Sequence, residues 1–420
     1  MKVNRWTSWD SRRSAWMLGL VLAVCLGAAA LASESAVPAA PAAKAKAPQT
    51  VAGKALNCQI NIDSTGKYLQ LGPPGGTGKR WIMKGTHSYV MRMWHKDPGP
   101  GGWEDQKYTD ANWVNRAAQM DAMKAAGINC IRIFEACYAD PDCSYLKTGE
   151  EGVYDQYAEY CSLAKSKGLF VLIQEWGKGH LLNGSSDAYF DEKWIPRFTK
   201  IREHLVAAGC DNVLFGTANE PNDGGGQYGS GNWVQNTKAF IRAYRHAGYT
   251  GPVLCDTPMQ DSKPWDNDKY GEIQSSDPSR GSHPGNVGFQ EHEYGWGDEK
   301  SFLPVSRAII NGAPAMTQFP FFITETGGSV NQGQIDTMAN MALNHNLGGL
   351  SLFWWNAHDA ETKDWAGLEL TPAGLKWRDH FFKAKGMPDG YCNPKSQTAS
   401  PARPAPVEPA KPVQPVAPGR

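Results

Sequence analysis

The sequence predicts one (β/α)8 barrel, a closed ring of eight parallel strands wrapped by helices. Eight short apolar runs, rich in β-branched and aromatic residues, recur along the chain. Amphipathic stretches of helical period separate them, which is the alternation of a parallel α/β sheet. No Gly-rich phosphate loop follows the first run, as a doubly wound dinucleotide-binding sheet would carry.

In chain order the strands are expected at Trp81-Ile82-Met83, Cys130-Ile131-Arg132-Ile133, Phe170-Val171-Leu172-Ile173 and Val213-Leu214-Phe215. They continue at Val253-Leu254-Cys255, Val287-Gly288-Phe289, Phe321-Phe322-Ile323 and Leu350-Ser351-Leu352-Phe353. Between the first two strands, Trp113, Ala117, Met120 and Met123 fall at spacings of 4, 3 and 3 and share one broad helix face. Further helices are expected near residues 153–167, 193–208, 233–247 and 334–346. Gly127, Gly168 and Gly209 follow three of these helices, where a left-handed C-terminal cap belongs.

Both ends read as separable from the barrel. Residues 1–32 have the pattern of a cleaved secretory leader: Lys2, Arg5, Arg12 and Arg13 flank an apolar run from Met17 to Leu31, and Ala30-Leu31-Ala32 is an A-x-A cleavage site. The run is short for a membrane span, which takes about 20 residues. Residues 33–54 are rich in Ala, Pro and Lys, and residues 394–420 in Pro and Ala. Neither has the apolar content to form a core, so both are expected to be disordered. The remaining segment, 55–393, suits one barrel of about 250 residues with added loops. Forty-two basic side chains balance forty-two acidic ones, and no basic stripe invites nucleic acid. No CxxC pair or histidine cluster suggests zinc, so neither metal nor cofactor is expected, and the chain is read as a monomer.

Chemistry in such a barrel sits at the carboxyl ends of the strands. Two of the apolar runs end at a glutamate, Glu220 in Asn219-Glu220-Pro221 and Glu325 in Thr324-Glu325-Thr326. Desolvating a carboxylate is costly unless the site needs one. The other strand ends add Arg132, Gln174-Glu175-Trp176, Glu291-His292-Glu293-Tyr294 and Trp354-Trp355-Asn356. Two carboxyl groups at a barrel mouth are the machinery of glycoside hydrolysis. One acid protonates the leaving oxygen, and one carboxylate attacks the anomeric carbon. The acid needs surroundings that keep it protonated, and the nucleophile needs a cation and donors that keep it ionised. Arg132 and Tyr294 suit the second task. Asn219 can bond a sugar hydroxyl beside the anomeric carbon, His292 can tune the acid, and Trp354 or Trp355 can floor the reacting sugar. His292 and Tyr294 share one strand face; Glu291 and Glu293 point the other way and are expected at the surface or behind the site. Glu175 is the main rival carboxylate.

These stretches resemble glycoside hydrolase family 5, of the clan that uses glutamates on strands four and seven. The resemblance rests on Gly127-Ile128-Asn129-Cys130-Ile131-Arg132-Ile133, Phe215-Gly216-Thr217-Ala218-Asn219-Glu220-Pro221, His292-Glu293-Tyr294, Ile323-Thr324-Glu325-Thr326-Gly327-Gly328 and the tryptophans after strand eight. It implies that Glu220 is the acid/base and Glu325 the nucleophile, with Arg132, Asn219, His292 and Tyr294 in support. The stretch around Glu325 looks most like the endoglucanase branch. The family usually places a histidine just after strand three. Here Trp176 falls at that position and His180 four residues later, so either Trp176 is a sugar platform or His180 folds back. The expected partner is a β-glucan, cut internally with retention at the anomeric carbon. A β-mannan is the alternative polymer, and an inactive carbohydrate-binding barrel the alternative function.

Eight of the nine cysteines lie beyond the leader, an even number that favours disulfides in a secreted chain. Cys137 and Cys143 flank a short loop, and Cys58 and Cys392 bracket the barrel; both pairs are expected to be bridged.

Overall fold

The computed structural model describes residues 53–88, 106–134, 152–175, 190–219, 221, 230–257, 267–280, 284–293, 318–327, 332–345, 347–353, 355, 362–363 and 367–395. Three short strands come first, β1 (Ile60–Ile62), β2 (Leu69–Leu71) and β3 (Lys79–Trp81), in one antiparallel sheet. Eight parallel strands then close a barrel. They are β4 (Met83–His87), β5 (Cys130–Phe134), β6 (Phe170–Glu175), β7 (Val213–Ala218), β8 (Val253–Asp256), β9 (Val287–His292), β10 (Phe321–Thr326) and β11 (Leu347–Leu352), with β11 returning to pair with β4. The expected (β/α)8 fold is the fold observed.

Helices α1 (Gln106–Ala126), α2 (Gly152–Ser166), α3 (Ile195–Ala207), α4 (Ser230–His246), α5 (Asn267–Ser275), α6 (Gln332–Asn344) and α7 (Pro372–Trp377) alternate with the strands. Gly127, Gly168 and Gly209 have φ of 97°, 80° and 69°, the left-handed caps that their positions after α1, α2 and α3 called for.

One strand lies elsewhere than expected. Trp81 belongs to the small sheet, and the first barrel strand starts at Met83 and runs through Lys84-Gly85-Thr86 to His87. Those polar residues hid the strand, which the ladders to β5 and β11 define instead.

The barrel interior is stratified. At the amino ends of the strands, Met83, Cys130, Phe170, Leu172, Leu214, Leu254 and Phe322 form an apolar floor, sealed from below by Ile60, Ile62, Leu69 and Trp81 of the small sheet. A second apolar layer, including Ile131, Ile133, Val213, Phe215, Phe321 and Ile323, lies between strands and helices. In β5 the two-residue pleat is unbroken: Cys130 faces in and Ile131 out, so Arg132 faces in. Above the floor the interior turns polar.

Cys58 and Cys392 do meet at this floor, but as free buried thiols rather than a disulfide. Burial pushes both thiols up, Cys392 to about 12, so in the folded protein neither is a reactive thiolate. Cys130, Cys161, Cys210 and Cys255 are also free and buried, while Cys137 and Cys143 lie outside the described residues. These six thiols should resist a thiol reagent in the native protein and all react once it is unfolded without reductant. A Cys58–Cys392 peptide in a non-reducing digest would contradict this.

A buried ion pair ties α4 to the segment before β9. Arg245 donates to Asp277 through Nε and Nη2, both at 2.9 Å, and to the carbonyls of Tyr249, Gly251 and Asn286. Burial alone would raise the Asp277 carboxyl; the Arg245 guanidinium and its hydrogen bonds outweigh that and hold it well below the usual carboxylate range. A depressed folded-state value stabilises the fold above the unfolded pKa of about 4 and is lost as pH falls toward the folded one. Replacing Asp277 by Ala strands the guanidinium and should cost about 3–5 kcal/mol at neutral pH, read by urea unfolding. The difference from the unmodified protein should shrink with acidification; a difference constant across the acid range would exclude this pair as its source.

Candidate active site

Arg132 stands in the polar upper layer with none of its side chain exposed. Its Nη1 donates to Glu325 Oε1 at 2.5 Å and its Nη2 to Asn219 Oδ1 at 2.5 Å. His292 lies between the same groups, its Nε2 3.5 Å from Arg132 Nη2 and its Nδ1 3.4 Å from Glu325 Oε2. Four strands, β5, β7, β9 and β10, thus deliver Arg132, Asn219, His292 and Glu325 to one point at their carboxyl ends. The guanidinium compensates the charge of a nearly buried carboxylate, and the Glu325 side chain keeps 4% of its surface exposed.

Two bulges make this convergence possible. In β10, Phe321 and Ile323 face the helices and Phe322 the interior, so plain alternation would send Glu325 outward. Instead, Ile323 pairs with Glu291 and Glu325 with the next residue of β9, His292. The extra residue turns Glu325 inward. In β7, Leu214 faces in, and alternation would put Ala218 inside and Asn219 outside. Ile173 pairs with Phe215 but Glu175 with Ala218, so β7 also carries one residue too many. Ala218 packs in the outer layer, and Asn219 reaches Arg132.

Two residues of the site escaped the sequence reading. His87, at the end of β4, is fully buried, with its ring centroid 4.2 Å from that of Phe134 and 5.2 Å from that of Phe353. Burial, then the nearby Arg132 and His292, push its imidazole well below the ordinary value, so it adds no second positive charge beside the guanidinium. Asp256 ends β8 with 1% exposure, its Oδ1 4.0 Å from His292 Nε2. The rule that singled out Glu220 and Glu325, an apolar run stopping at a carboxylate, applies equally to Val253-Leu254-Cys255-Asp256.

Trp355 does not floor a sugar site. Its ring is 1% exposed in the layer between strands and helices, its indole N–H donating to the Gly367 carbonyl at 2.9 Å. A ring enclosed on both faces has none to offer a sugar. Glu291 and Glu293 are buried, at 4% and 1% exposure, so neither is a surface group. Glu220, Tyr294, Trp176, His180 and Trp354 lie outside the described residues, and for Glu175 the structure describes only the backbone, as the last residue of β6. Among the described residues no group of three or more His, Cys, Asp or Glu side chains is placed to hold a metal ion.

The model of the cellulase family, glycosyl hydrolase family 5, matches residues 94–361. The chain belongs to this family. Family 5 enzymes are retaining, endo-acting glycoside hydrolases, and this chain is one of them. No curated protein sequence matches it significantly. Among solved structures, the catalytic domain of a mannanase from Streptomyces sp. SirexAA-E shares the fold with TM-score 0.51 and 19% identity, over 86% of this chain and 99% of that one. A β-mannanase from Streptomyces thermolilacinus gives 0.52 and 17%, over 77% and 96%. The catalytic domain of a Thermobifida fusca endoglucanase gives 0.51 and 15%, over 76% and 96%.

Replacing Arg132 with Ala should cost about 3–5 kcal/mol of stability, because it strands Glu325 without its counter-charge. Arg132→Lys keeps the charge but loses the planar fork that grips Glu325 and Asn219 together. It should recover much of the stability and little of the family activity. Denaturant unfolding and initial rates measure the two separately, and a lysine variant with full activity would show that the fork is dispensable.

Proposed function

We propose that this family 5 enzyme is a secreted endo-β-1,4-glucanase in which Glu325 is the nucleophile and Glu220 the acid/base. The observation that carries the assignment is the Arg132 guanidinium bonded to Glu325, with the His292 ring beside it. Arg132 Nη1 and His292 Nδ1 face the two oxygens of Glu325 at 2.5 and 3.4 Å, so a fixed guanidinium sits against the carboxylate that attacks the anomeric carbon. Asn219, directly before Glu220 in sequence, is held by the same guanidinium. In this reading Glu325 attacks the anomeric carbon while Glu220 protonates the leaving oxygen. Glu220 then removes a proton from the water that releases the sugar. The glucan assignment is supported by the endoglucanase-like stretch Thr324-Glu325-Thr326-Gly327-Gly328, and secretion by the leader pattern of residues 1–32.

Azide separates the roles of the two glutamates. With Glu220→Ala, an aryl glycoside whose leaving group needs no protonation should still form a glycosyl-enzyme, and azide should speed its release as the β-azide. With Glu325→Ala no glycosyl-enzyme forms, and azide should give the α-azide. Exchange of the two products would reverse the assignment.

The polymer is tested independently. Carboxymethyl cellulose or barley β-glucan should lose viscosity faster than reducing ends accumulate. If mannan is cut and both glucans are untouched, the polymer is wrong and the mechanism stands.

A further inference from the structure

Above the apolar floor, inside the barrel, lies a pair of amides that the catalytic scheme above does not use. Gln174 of β6 and Gln290 of β9 are fully buried inside the barrel. Gln290 Nε2 donates to Gln174 Oε1 at 2.6 Å. Gln174 Nε2 donates in turn to the backbone carbonyl of Thr217, which fixes the orientation of the Gln174 amide. Thr217 is the residue at the β7 bulge, two before Asn219.

At that bulge β7 leaves its neighbour. The β7–β8 ladder holds only the pairs Phe215–Val253 and Gly216–Leu254. Beyond it, side chains take over the backbone groups that the ladder releases. Tyr244 Oη donates to the Gly216 carbonyl at 2.8 Å, Gln174 to that of Thr217, and Thr217 Oγ1 accepts from the Asp256 backbone N–H at 3.1 Å. Gly216 has no side chain for a plain reason: a Cβ there would sit 1.9 Å from Gln174 Oε1. The strand is cut away so that this one amide can reach its bulge.

We infer that Gln174 is a positioning residue: by holding the Thr217 carbonyl it fixes the β7 bulge, and so sets where Asn219 enters the site and the point from which the chain runs on to Glu220. The role of Glu220 in this statement rests on the function proposed above. Without the Gln174 donor, the Thr217 carbonyl loses its partner in a buried layer, and the bulge relaxes toward the plain alternation that turns Asn219 away from Arg132. Gln290 supports Gln174 from the far side and acts one step further back.

Gln174→Leu removes the donor, and Gln174→Glu keeps the shape but sets an acceptor against the Thr217 carbonyl. Rates are taken per active site, titrated with a slow 2-fluoro glycoside, on whichever glucan or mannan the unmodified enzyme cuts. Both variants should lose about tenfold or more in kcat with KM within about twofold, since a misplaced catalytic group acts on the transition state and not on substrate binding. Gln290→Leu, which leaves the Thr217 bond in place, should lose less, and it carries the test should both Gln174 variants fail to fold. A kcat per active site within about twofold of the unmodified enzyme, alongside a lowered Tm, would show a merely structural amide and overturn the proposal. So would a raised KM with kcat unchanged. Should the unmodified enzyme cut neither polymer, the functional reading fails, and the crystal structure of Gln174→Leu decides the positioning claim alone. Asn219 withdrawn from Arg132 supports it, and Asn219 still bonded to Arg132 refutes it.

Discussion

The Arg132–Glu325 contact is the constraint around which the upper barrel is built. A guanidinium with no exposed surface has given up its water, and the penalty of several kcal/mol per ion is offset only if its donors meet well-placed acceptors. Arg132 meets Glu325 on one arm and Asn219 on the other, and its plane lies over the Phe134 ring at 4.7 Å. Each partner comes from a different strand, so the requirement is met only when the ring is closed. Barrel closure and charge compensation are therefore one condition. A half-formed barrel would leave a buried cation, a carboxylate or both without a partner.

That condition explains the layering. Below Arg132 the interior is apolar and capped by the small sheet, which excludes water from the amino ends of the strands. Above the floor it becomes polar, with the uncharged amides of Gln174 and Gln290 in the same interior as the charged Arg132 and Glu325. The amide pair satisfies the Thr217 carbonyl that the bulged β7 releases. The bulges cost ladder hydrogen bonds, and they occur on β7 and β10, the strands that lead to Asn219 and Glu325. A pleated strand can present every second residue to the interior; a site that wants Asn219 rather than Ala218, and Glu325 in addition to Phe322, must break the period.

Much of this was legible in the sequence, and the exceptions have physical causes. The strand-and-helix alternation and the glycine caps are local signals, and they located seven of the barrel strands and the turns after α1 to α3. Arg132 was readable because its strand keeps plain alternation. The inward direction of Asn219 and Glu325 was not readable from period; it was assigned from chemistry, and a strict count would have turned both outward. His87 was missed because Lys84-Gly85-Thr86 has no strand composition, and only its neighbours in the ring make it a strand. Trp355 was misread because an indole after the last strand suits a sugar platform and a helix-packing residue equally well. Cys58 and Cys392 stand in the structure as free buried thiols, and an even cysteine count carries no information on which thiols pair.

In the proposed scheme the two catalytic carboxyl groups must be kept at a fixed separation, and the architecture bears on how. In the ring, β7 and β10 are not neighbours; β8 and β9 stand between them. No backbone hydrogen bond connects the strand that leads to Glu220 with the strand that carries Glu325, so ladder register alone does not set their distance. A retaining enzyme needs that distance held near 5–5.5 Å. A direct link across the interior is Arg132, a planar group whose two arms grip Asn219 and Glu325 at 2.5 Å each. A lysine ammonium in its place would be a mobile point charge on a flexible stem, and a water would turn freely. A rigid fork transmits the position of one strand end to the other. The barrel brings the strand ends to one mouth, the bulges turn the required side chains inward, and the guanidinium fixes their spacing. Each step supplies a coordinate that the previous one leaves free.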